Sequence, residues 1–126
     1  MRIEHLALWA SDLERLKNFY VSYFEAVAGE RYHNPKKQFH SYFLSFSGGS
    51  RLEIMTRKDI TVSYPKPSLG LAHFAISVGS KERVDALTER LRNDGYTIKG
   101  EPRTTGDGYY ESVVLDPEGN EVEITV

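Results

Sequence analysis

The 126-residue sequence contains no cysteine. That absence excludes disulfides, a thiolate zinc ribbon, an iron–sulfur cluster and a thiol nucleophile, so any bound metal must be held by His, Asp or Glu. A cationic run is missing as well. No Lys/Arg-rich run exists beyond the pair Lys36-Lys37, and the sixteen Lys and Arg are outnumbered by eighteen Asp and Glu, for a formal net charge of −2. The charge therefore shows no footprint for nucleic acid. Long apolar stretches are also absent. The opening MRIEHLALWASD is interrupted by His5 and is too short for a signal peptide or a membrane span. The expectation is a soluble, cytoplasmic protein with no membrane partner, of a length that suits one compact domain.

What is present is a repeating alternation of strands and helices. In Met1–Trp9, Leu6 and Leu8 point one way while Ile3, His5, Ala7 and Trp9 point the other, the period of a strand. Ser11 and Glu14 form an S-x-x-E capping box that predicts a helix start. Leu13, Leu16, Tyr20, Tyr23, Phe24 and Val27 follow the spacing of one helical face, with Gly29 as the predicted stop. Residues 31–38 read as a loop or irregular edge strand. Phe39–Phe46 and Arg51–Thr56 read as strands joined by a Gly48-Gly49 turn.

Lys58–Leu69, with Pro65 and Pro67 around Lys66, reads as a connector. The pattern then starts again. Leu71–Val78 is a predicted strand with Phe74, Ile76 and Val78 on one face and His73, Ala75 and Ser77 on the other. Ser80 caps a predicted helix carrying Val84, Leu87 and Leu91 and ending at Gly95. Tyr96–Lys99 is short and β-like, Glu101–Gly108 is predicted to be a polar loop, and Tyr109–Leu115 and Glu121–Val126 are predicted strands around the turn Asp116–Asn120. Ile3–Leu8 aligns with Leu71–Ile76, and Arg51–Ile54 with Glu121–Ile124. His73 follows His5 by 68 positions and Glu123 follows Glu53 by 70, as a tandem duplication of about 65 residues would produce.

Each half thus carries one His on its first strand and one Glu on its last, opposite the larger apolar residues. Alone, any of the four reads as a hydrogen-bonded strand residue or a solvated side chain. Their recurrence in step with an internal repeat favours a shared metal site of two imidazoles and two carboxylates. Such a donor set suits a first-row divalent ion with positions left for water or substrate. His33 and His40 fall outside the repeat and read as surface or loop residues.

The pieces IEHLAL, DLER, FY, RLEI, GLAHFAISV and above all LDPEGNEVEI resemble the vicinal oxygen chelate superfamily. That group includes glyoxalase I, methylmalonyl-CoA epimerase, fosfomycin-resistance proteins, bleomycin-binding proteins and extradiol dioxygenases. The resemblance spans essentially the whole chain. It implies an α+β fold of two tandem βαβββ modules curled into a half-open barrel, the glyoxalase / bleomycin-resistance / dihydroxybiphenyl dioxygenase fold. Module 1 would cover about residues 1–57, module 2 about 70–126, and the connector 58–69, within a single domain 1–126. By position, the resemblance implies His5, Glu53, His73 and Glu123 as metal ligands.

Within the superfamily, Glu53 matches glyoxalase I, where the CoA epimerase type would favour Gln. Extradiol dioxygenases are about twice as long, the fosfomycin type uses three ligands, and bleomycin binders lack them. The resemblance therefore implies a lactoylglutathione lyase-like enzyme of methylglyoxal detoxification. It would convert a hemithioacetal to a 2-hydroxyacyl thioester through an enediolate, with Glu123 or its counterpart Glu53 shuttling the proton. The implied cofactor is Ni, Co or Zn, with Mn or Fe also compatible, and the implied co-substrate is a thiol such as glutathione. Alternatives are a dioxygenase or epimerase on the same chelation principle, or a non-catalytic small-molecule or drug binder.

Glutathione-using members often carry Arg four residues after the first His and Asn four after the first Glu; here those positions hold Trp9 and Arg57. Another thiol or another vicinal-dioxygen substrate therefore stands beside glutathione. Trp9, Arg57, Arg103 and Tyr110 are the candidate substrate contacts. Phe43, like Trp9, is a candidate for a cavity wall, a subunit interface or the core. Residues 103–110 read either as a flap or as a Gly-rich hairpin. Small proteins of this type are often homodimers with ligands from both subunits, so a homodimer is expected.

Overall fold

Alternating burial along the strands sets the architecture. The computed structural model describes residues 1–63 and 67–126, so Pro65 and Lys66 of the expected connector lie outside the described residues. The chain divides into two compact units, Met1–Ser63 and Tyr64–Val126.

In the first unit, β1 (His5–Trp9) leads into helix α1 (Leu13–Phe24), followed by β2 (Val27–Ala28), β3 (Tyr32–Asn34), β4 (Phe39–Ser45) and β5 (Arg51–Arg57). The sheet order is β1-β5-β4-β2, with β3 also paired to β4. β1 and β5 run parallel, and the other pairs are antiparallel. β2 and β3 pair with opposite ends of β4 and together act as one interrupted edge strand. Between them the Gly29 N–H donates to the Phe43 carbonyl at 2.9 Å. The unit is therefore βαβββ in its essentials.

In the second unit, β6 (His73–Ser77) leads into α2 (Lys81–Asn93), then β7 (Ile98–Thr104), β8 (Tyr110–Leu115) and β9 (Glu121–Thr125), in sheet order β6-β9-β8-β7. Here too the first and last strands are parallel neighbours. The fold is α+β, built of two such units.

Each helix covers one face of its own sheet. Leu13, Leu16, Phe19, Tyr20 and Phe24 of α1 are buried, as are Leu8, Leu44, Leu52 and Ile54 of its sheet. Tyr42 reaches across, its hydroxyl donating to Glu14 of α1 at 2.8 Å. In the second unit Val84, Thr88 and Leu91 of α2 are buried, along with Ser112, Val114, Val122 and Ile124. Burying such aliphatic side chains contributes about 1.5–3 kcal/mol each against exposure.

Three local expectations need correction. The α1 N-cap is Asp12 rather than Ser11: its extended backbone lets the carboxylate accept the Arg15 N–H at 3.0 Å, one position further along. The helix stops at Phe24 rather than near Gly29. Glu25 adopts a left-handed φ of 55° and the Ala26 N–H bonds back to the Tyr20 carbonyl, so Val27 enters β2 and is 70% exposed. Phe19, outside the predicted stripe, is buried in its place. Finally, β7 runs through the stretch expected to be a polar loop. It is an edge strand with register shifts around Gly100, and edges and bulges are where a sheet tolerates Pro102.

Candidate functional site

Strand pairing places the four repeat-related residues on the faces that the helices leave uncovered. In β1 and β5 the opposed pairs are His5–Arg51, Ala7–Glu53 and Trp9–Met55, and β4 sets Phe43 opposite Glu53 and Phe39 opposite Arg57. Because successive side chains alternate, His5, Trp9, Phe39, Phe43, Glu53 and Arg57 share the face opposite α1. In the second unit, His73 lies opposite Glu121 and Ala75 opposite Glu123. There His73, Glu123 and Glu111 share the face opposite α2.

The His and Glu of each unit come together. His5 Nε2 lies 3.9 Å from Glu53 Oε2, and His73 Nε2 lies 3.2 Å from Glu123 Oε1. Both histidines are well exposed, whereas the Glu53 and Glu123 side chains are only 17% and 18% exposed. Two donors held about 2.1 Å from one ion at roughly 90–110° stand about 3.0–3.4 Å apart. The His73–Glu123 spacing meets that condition, and the His5–Glu53 pair is somewhat wider. Imidazole with carboxylate is also the donor chemistry that first-row divalent ions accept. Among the described residues the arrangement is two by two: no group of three or more His, Asp or Glu side chains able to hold a metal is gathered.

Two carboxylates that sequence reasoning missed stand beside these pairs. Glu4 accepts a 2.5 Å hydrogen bond from His5 Nδ1 and is clamped by Arg51, whose Nε donates to it at 2.8 Å. Those bonds from His5 and Arg51 hold the Glu4 carboxyl below its ordinary range. A carboxylate on Nδ1 fixes the ring so that Nε2 is the nitrogen turned to Glu53, the usual arrangement behind a ligating histidine. Its repeat counterpart is Ala72, so comparing the halves for identity passes over it. The other is Glu111, buried on β8 and 3.4 Å from Arg103. Burial pushes the Glu123 carboxyl above its ordinary range; Glu111 and Asp107 add to this, against His73 and Arg103.

The remaining candidates separate by face. Trp9 meets Phe39 edge-on at 6.2 Å, and the Arg57 guanidinium lies 5.3 Å from the Trp9 ring while donating to both Asp59 oxygens. Phe43 packs edge-on against His5 at 5.3 Å, under the Arg51 guanidinium. Arg103, on β7, sits opposite Glu111 and shares its face. Tyr110 stands on the α2 side instead, its hydroxyl donating to Asp85 at 2.7 Å. Residues 105–109 close a hydrogen-bonded hairpin, in which Thr105 donates to Asp107 and accepts from the Tyr109 N–H. His33 and His40 are not loop residues: they are opposed on β3 and β4 with rings stacked at 4.2 Å. Among the described residues, the Nδ1 of half-buried His40 is buried without a hydrogen-bond partner, and desolvation is the first cause that lowers its pKa.

This pair of matching units, each with a His and a Glu on parallel neighbouring strands, defines a class. The family model for the Glyoxalase/Bleomycin resistance protein/Dioxygenase superfamily matches residues 2–124, and the chain belongs to that superfamily. It is 28% identical over 127 residues to the uncharacterized protein YqjT of Bacillus subtilis (strain 168), covering 97% of this chain and 96% of YqjT. The crystal structure of a glyoxalase family protein from Enterococcus faecalis is 28% identical, with a TM-score of 0.80 and coverage of 99% of this chain and 97% of that one. The trypanothione-dependent glyoxalase I of Leishmania major shares the fold at 22% identity, with a TM-score of 0.81 over 99% of this chain and 86% of that chain. Among the described residues no helix is long and apolar enough to cross a membrane.

Proposed function

We propose that the protein is a metal-dependent, glyoxalase I-like lyase that converts the hemithioacetal of a 2-oxoaldehyde to a 2-hydroxyacyl thioester. The observation that carries this reading is the repeated His–Glu pair, 3.9 Å apart in one unit and 3.2 Å in the other, on the helix-free face of each sheet. In this reading His5, Glu53, His73 and Glu123 hold one divalent ion, with both pairs drawn from one chain or from two subunits of a homodimer. Such an ion, when bound, stabilises negative charge on two adjacent substrate oxygens. Ni, Co and Zn are the first candidates, followed by Mn and Fe.

The chain's own groups supply the proton chemistry. Glu123 accepts the proton from the substrate carbon as that C–H bond breaks and returns it to the neighbouring carbon, so the protein ends unchanged. Glu53 is the symmetric candidate for the same role. His5 and His73 act as neutral ligands, with Glu4 holding the His5 ring in place. Trp9, Arg57 and Arg103, which share the helix-free faces, are the proposed substrate contacts.

The test is elemental analysis of the purified protein. Reconstitution with each of the five metals follows, with assay on methylglyoxal adducts of more than one thiol. Turnover with at least one metal is expected, and Glu123→Gln should abolish it while metal remains bound. Inactivity with every metal and every thiol would refute the lyase. One observation favours a second reading: the ring cluster of Tyr32, Phe39 and Trp9 is a surface on which a flat ligand can stack. Saturable binding of an aromatic compound by inactive, metal-free protein would support a non-catalytic binder.

A further inference from the structure

At the end of β5 the first unit carries a cleft of about 660 Å³ lined by Lys36, Lys37, Gln38, Arg57, Lys58 and Asp59. Four cations face one carboxylate there, in a chain whose formal net charge is −2. Asp59 is already engaged by Arg57 in a two-pronged ion pair, with contacts of 2.5 and 3.1 Å. Among the described residues, none of the Lys36, Lys37 and Lys58 ammonium groups is paired with a carboxylate. Like charges gathered without a counter-charge repel one another, and an anion placed among them relieves that repulsion.

The rim is also held in shape. The Asn34 side chain accepts the Lys37 N–H, the Gln38 N–H returns to the Pro35 carbonyl, and Gln38 adopts a left-handed φ of 48° to enter β4. Across the cleft, the Ile60 N–H closes a turn on the Arg57 carbonyl at 3.0 Å. Two turns fixed by their own hydrogen bonds thus present the cations, so little backbone ordering is left for a ligand to impose. Arg57 lies on the same face of β5 as Glu53, four residues on, a distance of about 13 Å along a strand.

We propose that this cleft binds the multiply charged anionic end, phosphate or carboxylate, of an extended substrate whose reacting carbon lies near Glu53. The cleft's affinity for anions stands independently of the lyase reading; only the assignment of the anion to the substrate rests on it. The probe is built in, because Trp9, against which Arg57 packs, is the one tryptophan in the sequence.

Inorganic pyrophosphate and, separately, citrate are titrated into the full chain while Trp9 fluorescence and heat are followed. A saturable change that weakens as salt is raised is expected. The exposed substitutions K36E, K37E and K58E, combined, should lower affinity about tenfold or more. Tighter pyrophosphate binding identifies the anion as phosphate, and tighter citrate binding identifies it as carboxylate. No saturable change with either probe, or equal affinity in the triple variant with an unaltered circular dichroism spectrum, overturns the proposal.

With active, metal-loaded enzyme, the methylglyoxal adducts of pantetheine and of pantetheine 4′-phosphate separate the two readings. The triple variant should raise KM for the phosphorylated adduct alone. An equal effect on both adducts removes the assignment to the substrate. Absence of turnover with either adduct in the wild-type protein counts against the lyase, while the direct titration still decides the cleft.

Discussion

Asp116→Ala is the most informative single perturbation of the site's scaffold. Asp116 is 4% exposed and begins the turn that launches β9, the strand bearing Glu123. One carboxylate oxygen accepts the backbone N–H groups of Glu118 and Asn120, each at 2.9 Å, and the other accepts the Asn120 side-chain amide at 2.9 Å. Hydrogen bonds to a charged group contribute about 1.5–3 kcal/mol each, but they are not additive, and water reaches part of an opened turn. A net loss of about 3–4 kcal/mol is expected for the alanine variant, a large fraction of the ~5–15 kcal/mol typical of a whole domain. Asp116→Asn keeps an oxygen for the two backbone donors and should lose only about 1–2 kcal/mol. Urea denaturation with a common slope measures both. If the alanine variant loses less than about 1 kcal/mol, or the asparagine variant loses as much as alanine, the carboxylate is not what holds the turn.

Three further outcomes follow from buried or linked groups. Thr88 donates to the Val84 carbonyl at 2.7 Å, so Ser112, 2.6 Å away, must be the donor to Thr88. Thr88→Val strands a buried hydroxyl and should destabilise by about 2 kcal/mol, Ser112→Ala by about 1 kcal/mol, and the double variant by less than the sum; a larger effect from Ser112→Ala reverses the assigned donor. The Glu14 carboxyl is held below its ordinary value by Lys17 and then by the Tyr42 hydroxyl. A depressed carboxylate stabilises the fold above its unfolded-state pKa and loses that contribution as pH falls through the folded one. Wild type should therefore exceed Glu14→Gln at neutral pH and converge with it in acid, and a constant gap down to pH ~2 would contradict the link. His40→Phe keeps the ring against His33 and removes an unpartnered buried nitrogen, so the melting temperature should rise. A fall would mean that the nitrogen is satisfied.

Much of the fold was legible because its signals are local. Period-two alternation in His5–Trp9, Arg51–Arg57, His73–Ser77 and Glu121–Thr125 set which residues face the helices, and burial of Leu8, Leu52, Ile54, Val122 and Ile124 follows that pattern. Ser80 and Gly95 marked the ends of α2, where Ser80 accepts the Arg83 N–H and Gly95 takes a φ of 86°. The misjudged boundaries are places where two local options were nearly equal. Ser11 and Asp12 are both good caps, and β4 pairing settled where α1 ended by drawing Val27 and Ala28 into the sheet. The polar stretch after Lys99 reads locally as a loop, but β7 runs through it as an edge strand, where Pro102 is tolerated, and edge position is not written in a local window.

The same division runs through the site. The sequence by itself limited the side-chain donors of the proposed metal site to imidazole and carboxylate, since the chain has no cysteine. It also determined the pairing of one His with one Glu per repeat, because duplicated spacing preserves strand and face. Only the tertiary structure decided which other residues stand beside them. Glu4 reaches His5 and Arg51 by a side-chain turn at a strand's entry, and Glu111 shares a face with Glu123 through the β8–β9 register. Lys36, Lys37, Arg57 and Lys58 form one cleft because β4 brings two turns, about twenty residues apart in sequence, to the same end of the sheet. Such neighbours are made by pairing between strands distant in sequence, and neither composition nor periodicity within a segment encodes which strands will pair.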